Sequence, residues 1–234
     1  MAEAWKDTAK TILSSHFLLG ELEPAILDEL LSYGHFRVVP RGEMIFQKRD
    51  PGDSLLAVVF GKIRISTLSA DGQEVVLNVL GDGDVFGEIA FLDGKQRTAD
   101  ASALEETGLL VLERSRFFPF VQANPEVAMR LLEILCERLR WVSDNYEDVI
   151  FLNLPARLAK RLLRLAKQFG KQTPAGLRVD LKLSQQELGH MTGVTREAVN
   201  KVLRQWEEQG FVSLERTALT IREPDRLELI AASG

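Results

Sequence analysis

The chain has 234 residues, 45% of them hydrophobic and 27% charged, which is typical of a soluble globular protein large enough for two modest domains. The start, MAEAWKDTAK, lacks the basic-then-apolar order of a signal peptide, and no apolar run approaches the length of a membrane span. With one cysteine and three scattered histidines, a disulfide framework and a cysteine-ligated cluster are excluded within one chain, and a histidine metal site is not expected. These features predict a cytoplasmic protein with no bound metal and no membrane contact.

The net charge of −5 is unevenly distributed along the chain. Residues 154–234 hold 14 Lys and Arg against 9 Asp and Glu, a net charge of +5. Residues 1–153 hold 15 against 25, a net charge of −10. A basic C-terminal third behind an acidic front indicates a nucleic-acid-binding module joined to a second domain. Exposed charge spread unevenly by chance is the alternative.

The N-terminal half predicts a short helix from Glu23 to Tyr33 and then a series of short strands. Turn sequences rich in Gly and Asp recur at close spacing, namely PRGE, DPGD, SADGQ, GDGD and LDGK. Between two of them, Val75, Leu77 and Val79 alternate with other residues, as in a strand with one face on a core. Many short strands with such turns predict an antiparallel β-barrel or jelly roll over about residues 35–115.

A long helix is predicted from Pro125 to about Asn153, because this stretch has no glycine and no internal proline. Apolar residues recur along it with alternating steps of three and four: Leu132, Leu135, Leu139, Val142, Tyr146 and Val149. So narrow a seam is suited to pairing with a second copy of itself, and the alternative is a helix packed against its own barrel. Asn153 can cap the following helix and Pro155 fits its first turn, so residues 151–155 are the predicted hinge.

The sequence after the hinge has the order of a winged helix-turn-helix. RLAKRLLRLAKQFG predicts a basic amphipathic helix that ends at Gly170. In SQQELGHMTGVTREAVNKVLRQWEEQG, Ser184 and Glu187 form a capping box, Gly193 allows the turn, and Thr195 can cap a second helix. FVSLERTALTI then reads as a two-stranded wing. The second helix is the predicted recognition helix.

DNA contacts are predicted at the start of the recognition helix, where Arg196, Glu197, Asn200 and Lys201 are expected to be exposed. Arginine can donate two hydrogen bonds to guanine, glutamate can accept one from cytosine, and lysine can reach guanine or phosphate. The full set of candidate DNA-contacting residues is Ser184, Gln185, Thr195, Arg196, Glu197, Asn200 and Lys201. The alternative is a packed helical hairpin with a charged surface.

The stretch FGEIAFLDGKQRTA, residues 86–99, predicts a pocket for a small anion that carries a hydroxyl group. Backbone amides at a short turn or helix start can bind an anion, Arg97 offers a planar donor fork to a phosphate, and Thr98 adds a hydroxyl. Glu88 is repelled by phosphate, so it is expected to hold a sugar hydroxyl instead. A compact ligand with both groups is a cyclic nucleotide, and the alternative is a hairpin with an exposed ion pair.

FGEIAFLDGKQRTA resembles the phosphate-binding cassette of cyclic-nucleotide-binding domains. With the long helix and TREAVNKVLRQWEEQG behind it, nearly the whole chain resembles the Crp/Fnr family of bacterial transcription regulators. The resemblance implies an α+β architecture in three parts. These are an N-terminal β-barrel or jelly-roll cyclic-nucleotide-binding domain (1–124), a dimerisation helix with hinge (125–153) and a C-terminal winged helix-turn-helix domain (154–234).

The resemblance also implies a homodimer that binds cAMP or cGMP as an allosteric ligand, double-stranded DNA, and RNA polymerase. Glu88 would take the ribose 2′-hydroxyl, and Arg97 and Thr98 the cyclic phosphate. The implied ligand-binding set is Gly87, Glu88, Ile89, Ala90, Arg97, Thr98, Val142 and Ser143. Relatives that sense redox state through an iron–sulfur cluster need several cysteines, and this chain has one.

Two residues depart from the family pattern. Val142-Ser143 stands where activator-like members have a Thr-Ser pair that bonds to adenine, so strict preference for adenine is not expected. Thr98 is the residue that cGMP-reading members use against guanine, so binding of both nucleotides is predicted. Lys201 replaces an arginine, so readout at that base is expected to be looser.

Two other functions compete with this interpretation. One is a regulator of the same family that needs no ligand or senses another small molecule, against which the intact Glu88 and Arg97 argue. The other is an enzyme. Cys136 lies mid-helix with no histidine base predicted near it, and no glycine-flanked serine or metal-ligand cluster is present. We therefore expect no catalytic activity.

Overall fold

A computed structural model describes residues 4–15, 22–179, 181, 184–215 and 218–233. The chain divides into two compact units, one formed by Met1–Ser69 and Leu77–Leu139 and the other by Ala70–Val76 and Arg140–Gly234. Within the described residues, no helix is long and apolar enough to cross a membrane.

Among the described residues of the N-terminal half, eight strands form two four-stranded sheets. The strands are β1 Gly34–Val39, β2 Met44–Phe46, β3 Ser54–Phe60, β4 Ile63–Leu68, β5 Glu74–Leu80, β6 Val85–Phe86, β7 Asp100–Ala103 and β8 Thr107–Glu113. One sheet has the order β1-β8-β3-β6 and the other β2-β7-β4-β5, and the pairings described for both are antiparallel. The predicted jelly-roll class is confirmed, as a sandwich of two sheets rather than a closed barrel.

Strand β3 shows why the sheet β1-β8-β3-β6 lies between two apolar cores. Its sequence SLLAVVF is apolar on both faces. Leu56 and Val58 point into the core between the sheets, whereas Leu55 and Ala57 join a second core under the helices. A strand covered on both faces reads as a continuous apolar run, because neither face meets solvent.

The alternation predicted for β5 is wrong in detail. Val79 is buried as expected, but Val75 and Leu77 are only half-buried and Val76 is buried instead. The buried Val76 and Val79 are three residues apart, so they lie on opposite faces of the strand. Burial in β5 is therefore not confined to one face.

In the described part of the chain, five helices accompany the sandwich: α1 Ala4–Ser15, α2 Pro24–Tyr33, α3 Glu88–Asp93, α4 Arg114–Ala123 and α5 Pro125–Phe151. The predicted helix before the strands is confirmed as α2, which begins with proline in its first turn. Helices α1, α2, α4 and the start of α5 cover the outer face of β3, where Leu27, Phe117 and Phe120 are buried. The long helix is confirmed as α5, of 27 residues.

Helix α5 carries two separate apolar stripes. Val127, Leu131 and Ile134 are buried against the first unit. Five residues of the predicted seam are instead 49–69% exposed, namely Leu132, Leu139, Val142, Tyr146 and Val149, and Leu135 is half-buried. The alternative of a helix packed against its own barrel therefore holds for the first stripe, and pairing of the second stripe with another copy stays a prediction. An exposed apolar stripe of this length is typical of an interaction surface.

The second unit holds the predicted helix-turn-helix. Its elements after α5 are α6 Leu154–Phe169, β9 Gly170–Thr173, β10 Gly176–Val179, α7 Gln185–Thr192, α8 Arg196–Glu208, β11 Val212–Leu214, β12 Leu219–Ile221 and α9 Pro224–Ala232. The cap predicted at the hinge is confirmed, because the Asn153 side chain accepts a hydrogen bond from the Ala156 amide at 3.1 Å. The two wing strands are confirmed as β11 and β12, and the wing residues Arg216 and Thr217 lie outside the described residues.

Strands β9 and β10 were not predicted. They complete a four-stranded sheet of order β11-β12-β10-β9, in which Val179 pairs with both Gly170 and Leu219. The segment KQTPAGLRV does contain a hairpin signal, with Pro-Ala-Gly between two short runs.

Candidate functional site

The predicted anion pocket begins where β6 meets α3. Gly87 is the N-cap of α3 and has φ of 80°, a left-handed conformation that favours glycine. A Cβ atom at this position would lie 2.5 Å from Arg97 Nη1, so a side chain would displace the arginine. Glycine at position 87 therefore lets the backbone turn and lets Arg97 approach it closely.

Arg97 is buried, with 4% of its surface exposed, and is held by neutral acceptors. Its Nη1 donates to the Gly87 carbonyl at 2.9 Å, and its Nη2 donates to the carbonyl and the hydroxyl of Ser54, both at 2.8 Å. The guanidinium also lies 4.3 Å from the centroid of the Phe46 ring. The structure thus brings Arg97 to the Gly87-Glu88 pair, and the alternative of an exposed ion pair is wrong.

Arg97 is a buried cation with one donor nitrogen that makes no hydrogen bond to the described residues. Burial lowers the pKa of the guanidinium below its ordinary value, and the nearby charges of Asp53, Glu88 and Asp50 act in the opposite direction. Arginine remains protonated at neutral pH. Its Nε is buried and has no hydrogen-bond partner among the described residues. A buried donor of a charged group with no acceptor is costly, and a bound anion would remove that cost.

Glu88 is also buried, with 4% of its surface exposed, and it is paired with a residue that the sequence analysis missed. Arg138 Nε on α5 lies 3.4 Å from Glu88 Oε1, and Arg138 Nη2 donates to the Val85 carbonyl at 3.3 Å. A buried carboxylate needs such a partner. Because 50 residues separate Glu88 from Arg138, no local pattern could indicate the pair.

The other predicted ligand-binding residues differ in exposure. Ala90 is buried, Ile89 is 40% exposed and Thr98 is exposed. Val142 and Ser143 are exposed on α5 and belong to the second unit, so their contribution to the pocket stays a prediction. Within the described part of the chain, no group of His, Cys, Asp or Glu could hold a metal ion.

The helix-turn-helix has the local geometry that its sequence predicts. The capping box of α7 is present, with the Glu187 amide donating to Ser184 Oγ at 3.1 Å and the Ser184 amide donating to Glu187 Oε2 at 2.7 Å. Gly193 ends α7 with φ of 70°. The Ala198 amide donates to Thr195 Oγ1 at 3.3 Å, which caps α8. Each terminus is therefore fixed by residues within the motif.

Helix α8 presents a charged N-terminal end. It packs through Val199, Val202, Leu203 and Trp206, all buried. Most of the candidate DNA-contacting residues are exposed, namely Ser184, Thr195, Arg196, Glu197 and Lys201. Gln185 is half-buried.

Asn200 corrects the prediction of an exposed side chain. It is half-buried, and its Oδ1 is buried with no hydrogen-bond partner among the described residues. The physical reason is its place on α8, since it follows Val199 and precedes Leu203 by three residues and therefore borders the buried stripe of the helix.

Part of the basic charge of the second unit is used inside it. On α6, Lys160 forms an ion pair with Asp148, and Arg164 Nη1 donates to Asn145 Oδ1 at 3.2 Å. Arg161 lies 5.9 Å from the Trp141 ring, and burial together with the charge of Arg164 lowers the pKa of Arg161 to about 10. These contacts hold α6 against α5. The DNA-facing charge is consequently smaller than the sequence count suggests.

A domain with this cassette, followed in one chain by a helix-turn-helix, defines a ligand-regulated transcription regulator as the class of protein. Two family models agree with this class. Residues 36–124 match the cyclic nucleotide-binding domain, and residues 156–230 match the Crp-like helix-turn-helix domain.

Comparison with known proteins extends the match to most of the chain. The CRP-like cAMP-activated global transcriptional regulator of Mycobacterium tuberculosis is 36% identical over 188 residues, covering 80% of this chain and 84% of that protein. The cyclic AMP receptor protein of Thermus thermophilus is 36% identical over 210 residues, covering 90% and 94%. The chain therefore belongs to the Crp/Fnr family of transcription regulators, whose members are not enzymes.

The fold agrees with a solved structure at lower identity. FixK2 from Bradyrhizobium japonicum superposes with a TM-score of 0.77 at 24% identity, covering 86% of this chain and 98% of that one. This likeness supports the two-domain architecture alone.

Proposed function

We propose that the protein is a homodimeric transcription regulator that binds cAMP, accepts cGMP as well, and in the bound state recognises palindromic DNA. The observation that carries the proposal is the buried Arg97, whose Nε has no acceptor among the described residues. Arg97 also interacts electrostatically with Glu88. Relatives named for their activation by cAMP support the choice of ligand. Contact with RNA polymerase is part of the same proposal.

In the proposed complex, Arg97 Nε donates to the cyclic phosphate, helped by the Ile89 and Ala90 amides and the Thr98 hydroxyl. Glu88 accepts from the ribose 2′-hydroxyl. Its ion pair with Arg138 offsets the repulsion between the carboxylate and the phosphate, because a cation stands beside it. Val142 and Ser143 face the purine, where serine alone offers a hydroxyl.

The two functions are coupled by population shift. Nucleotide orders the α5 seam near residues 142–146, and the hinge at residues 151–155 then holds both recognition helices about one DNA turn apart, roughly 34 Å. The ligand can shift this equilibrium only by its differential affinity for the DNA-competent state.

The ligand is tested by thermal melting with a panel of nucleotides. Micromolar cAMP or cGMP is expected to raise the melting temperature, because a ligand that binds only the folded state stabilises it by about 2.7 kcal/mol at 100 times its Kd. The non-cyclic nucleotide AMP is the control and is expected to have little effect. No stabilisation by any nucleotide would favour the alternative of a regulator that needs no ligand.

The homodimer is tested by Leu139→Glu. Leu139 is 67% exposed on the α5 seam, and a carboxylate there would face its symmetry mate in the proposed dimer. We expect the variant to be monomeric at micromolar concentration in analytical ultracentrifugation. Leu229→Glu is the matched control, because Leu229 is 71% exposed on α9, and it is expected to remain dimeric. A dimeric Leu139→Glu protein would place the subunit contact elsewhere.

Purine selectivity is tested by Val142→Thr, a change of similar shape that adds a hydroxyl. We expect the variant to improve cAMP affinity relative to cGMP by about 0.5–1.5 kcal/mol, which is the net contribution of one hydrogen bond. Calorimetric titration of both nucleotides gives the ratio of the two Kd values. The control is Val149→Thr, because Val149 is on the same helix and is 61% exposed. This change should leave the ratio unchanged. An unaltered or reversed ratio in Val142→Thr would mean that the purine is read elsewhere.

A further inference from the structure

We propose that Arg114 is a positioning residue of the nucleotide pocket. It connects α3 to the start of β3, the strand that anchors Arg97. The inference rests on the proposed function, since it concerns affinity for the same ligand. Arg114 is half-buried at the start of α4 and acts on the ligand only through other residues.

The backbone of Arg114 is attached to the anchor of Arg97. The Arg114 amide donates to the Asp53 carbonyl at 2.8 Å. The next residue, Ser54, supplies the carbonyl and the hydroxyl that accept from Arg97 Nη2. Ser54 also pairs across the sheet with Glu113, the residue before Arg114. Arg114 thus bonds to Asp53, the residue directly before the Ser54 that holds Arg97.

The side chain of Arg114 is attached to the opposite wall of the pocket. Its Nε donates to the Phe91 carbonyl at 2.8 Å, near the C-terminal end of α3. Its guanidinium lies 4.6 Å from the Phe118 ring, which is itself 5.9 Å from the Phe91 ring. A cation at this end of a helix satisfies a carbonyl that has no partner within the helix and interacts favourably with the helix dipole.

Helix α3 needs such support because it has only six residues. A single short helix is not stable by itself and depends on tertiary contacts. Phe91 supplies one of them, since it is fully buried against Phe117. Ala90 is buried as well, and Leu92 packs against the same core as Phe91. The Arg114 hydrogen bond adds a polar contact at the C-terminal end of α3, and we infer that it helps to hold Glu88 at the other end.

Arg114 therefore adds a link between the two polar groups that the ligand must meet together, beside the direct hydrogen bond from Arg97 Nη1 to the Gly87 carbonyl. Arg97 is fixed on one side through Ser54, and Glu88 on the other side through α3. A cyclic nucleotide is rigid, so its phosphate and ribose hydroxyl can satisfy both groups only at one spacing. Loosening α3 is expected to weaken binding, although Arg97 and Glu88 are both retained.

The experiment compares Arg114→Ala and Arg114→Lys with the wild type. The control is Arg116→Ala, since Arg116 is on the same helix with a side chain 63% exposed and approaches Glu113 only at 4.0 Å. Calorimetry with cAMP gives the affinity, and amide hydrogen exchange of residues 88–94 without nucleotide gives the order of α3. The exchange measurement separates positioning from a general loss of stability, which would speed exchange throughout the first unit.

We expect Arg114→Ala to bind cAMP about fivefold or more weakly, the effect of one hydrogen bond, with faster exchange confined to α3. Arg114→Lys keeps the charge and is expected to recover part of the affinity, and Arg116→Ala should match the wild type. If wild type binds but Arg114→Ala binds within about twofold of it, the inference is wrong and the proposed function stands. Weaker binding with unchanged exchange of α3 would also overturn the inference. A wild-type protein that binds no cyclic nucleotide would remove the proposed function itself.

Discussion

Arg97→Ala is expected to weaken cyclic-nucleotide binding by at least about tenfold, because removing a charged donor from a phosphate costs roughly 1.5–3 kcal/mol. The burial of Arg97 strengthens this expectation. Only 4% of the surface of the residue is exposed, so little water is available to replace the lost donor. Isothermal calorimetry with cAMP measures the change directly.

The same substitution is also expected to destabilise the first unit. Arg97 donates to the carbonyls of Gly87 and Ser54, and alanine would remove both hydrogen bonds, leaving the Gly87 carbonyl with the Phe91 amide at 3.2 Å. A lost hydrogen bond to a charged group costs about 1.5–3 kcal/mol. Chemical denaturation should therefore show a lower free energy of unfolding, and the calorimetry must be done where the variant is still folded.

Lys95→Ala is the matched control for charge. Lys95 lies two residues before Arg97, carries the same charge and has a side chain that is 80% exposed. Its removal is expected to leave the affinity for cAMP within about twofold of the wild type, because exposed charges contribute little. Unchanged affinity in a folded Arg97→Ala protein would contradict the assignment of the pocket.

Arg196→Ala is expected to lower affinity for the specific DNA site by about 1–3 kcal/mol per half-site and to relax the preference for one guanine. Arg196 is the first residue of α8 and is exposed, whereas the helix packs through a stripe that begins at Val199. The proposed dimer has two such helices, so the site should be a palindrome. Family resemblance suggests a TGT-like half-site, with the guanine read by Arg196 and a cytosine on the other strand facing Glu197.

Selection from a random DNA pool measures this preference. Arg204→Ala is the control, because Arg204 is exposed on the same helix but lies eight residues further from its N-terminus. It is expected to retain the wild-type consensus. Lys201→Ala should instead lower affinity evenly across sequences and flatten the salt dependence, if lysine contacts mainly phosphate. Recovery of the same consensus with equal stringency by Arg196→Ala would mean that the recognition helix is misassigned.

The features that could be predicted from the sequence are those specified by neighbouring residues. Asn153, Ser184 with Glu187, and Thr195 cap their helices as expected, because each side chain bonds to an amide within three residues. Gly87 and Gly193 have the positive φ values that a turn requires. The cassette could be identified for the same reason, since Glu88 and Arg97 both lie within the short stretch of residues 86–99.

The features that were missed depend on residues far apart in the chain. Glu88 pairs with Arg138, and Arg97 is held by Ser54, 43 residues earlier. The half-burial of Asn200 likewise depends on what covers the neighbouring stripe of α8. A single sequence gives the chemistry of these residues but not their partners, because the partners are chosen by the tertiary fold.

The central claim is that a cyclic nucleotide controls DNA binding, and one titration tests it most directly. A fluorescent palindromic duplex, chosen by selection with the cAMP-bound protein, is titrated with protein in the presence and absence of cAMP, and anisotropy gives both affinities. The account predicts tighter binding with cAMP by about fivefold to 150-fold, the usual range of allosteric coupling, and loss of this difference in Arg97→Ala. Equal affinity for the duplex with and without saturating cAMP would contradict it.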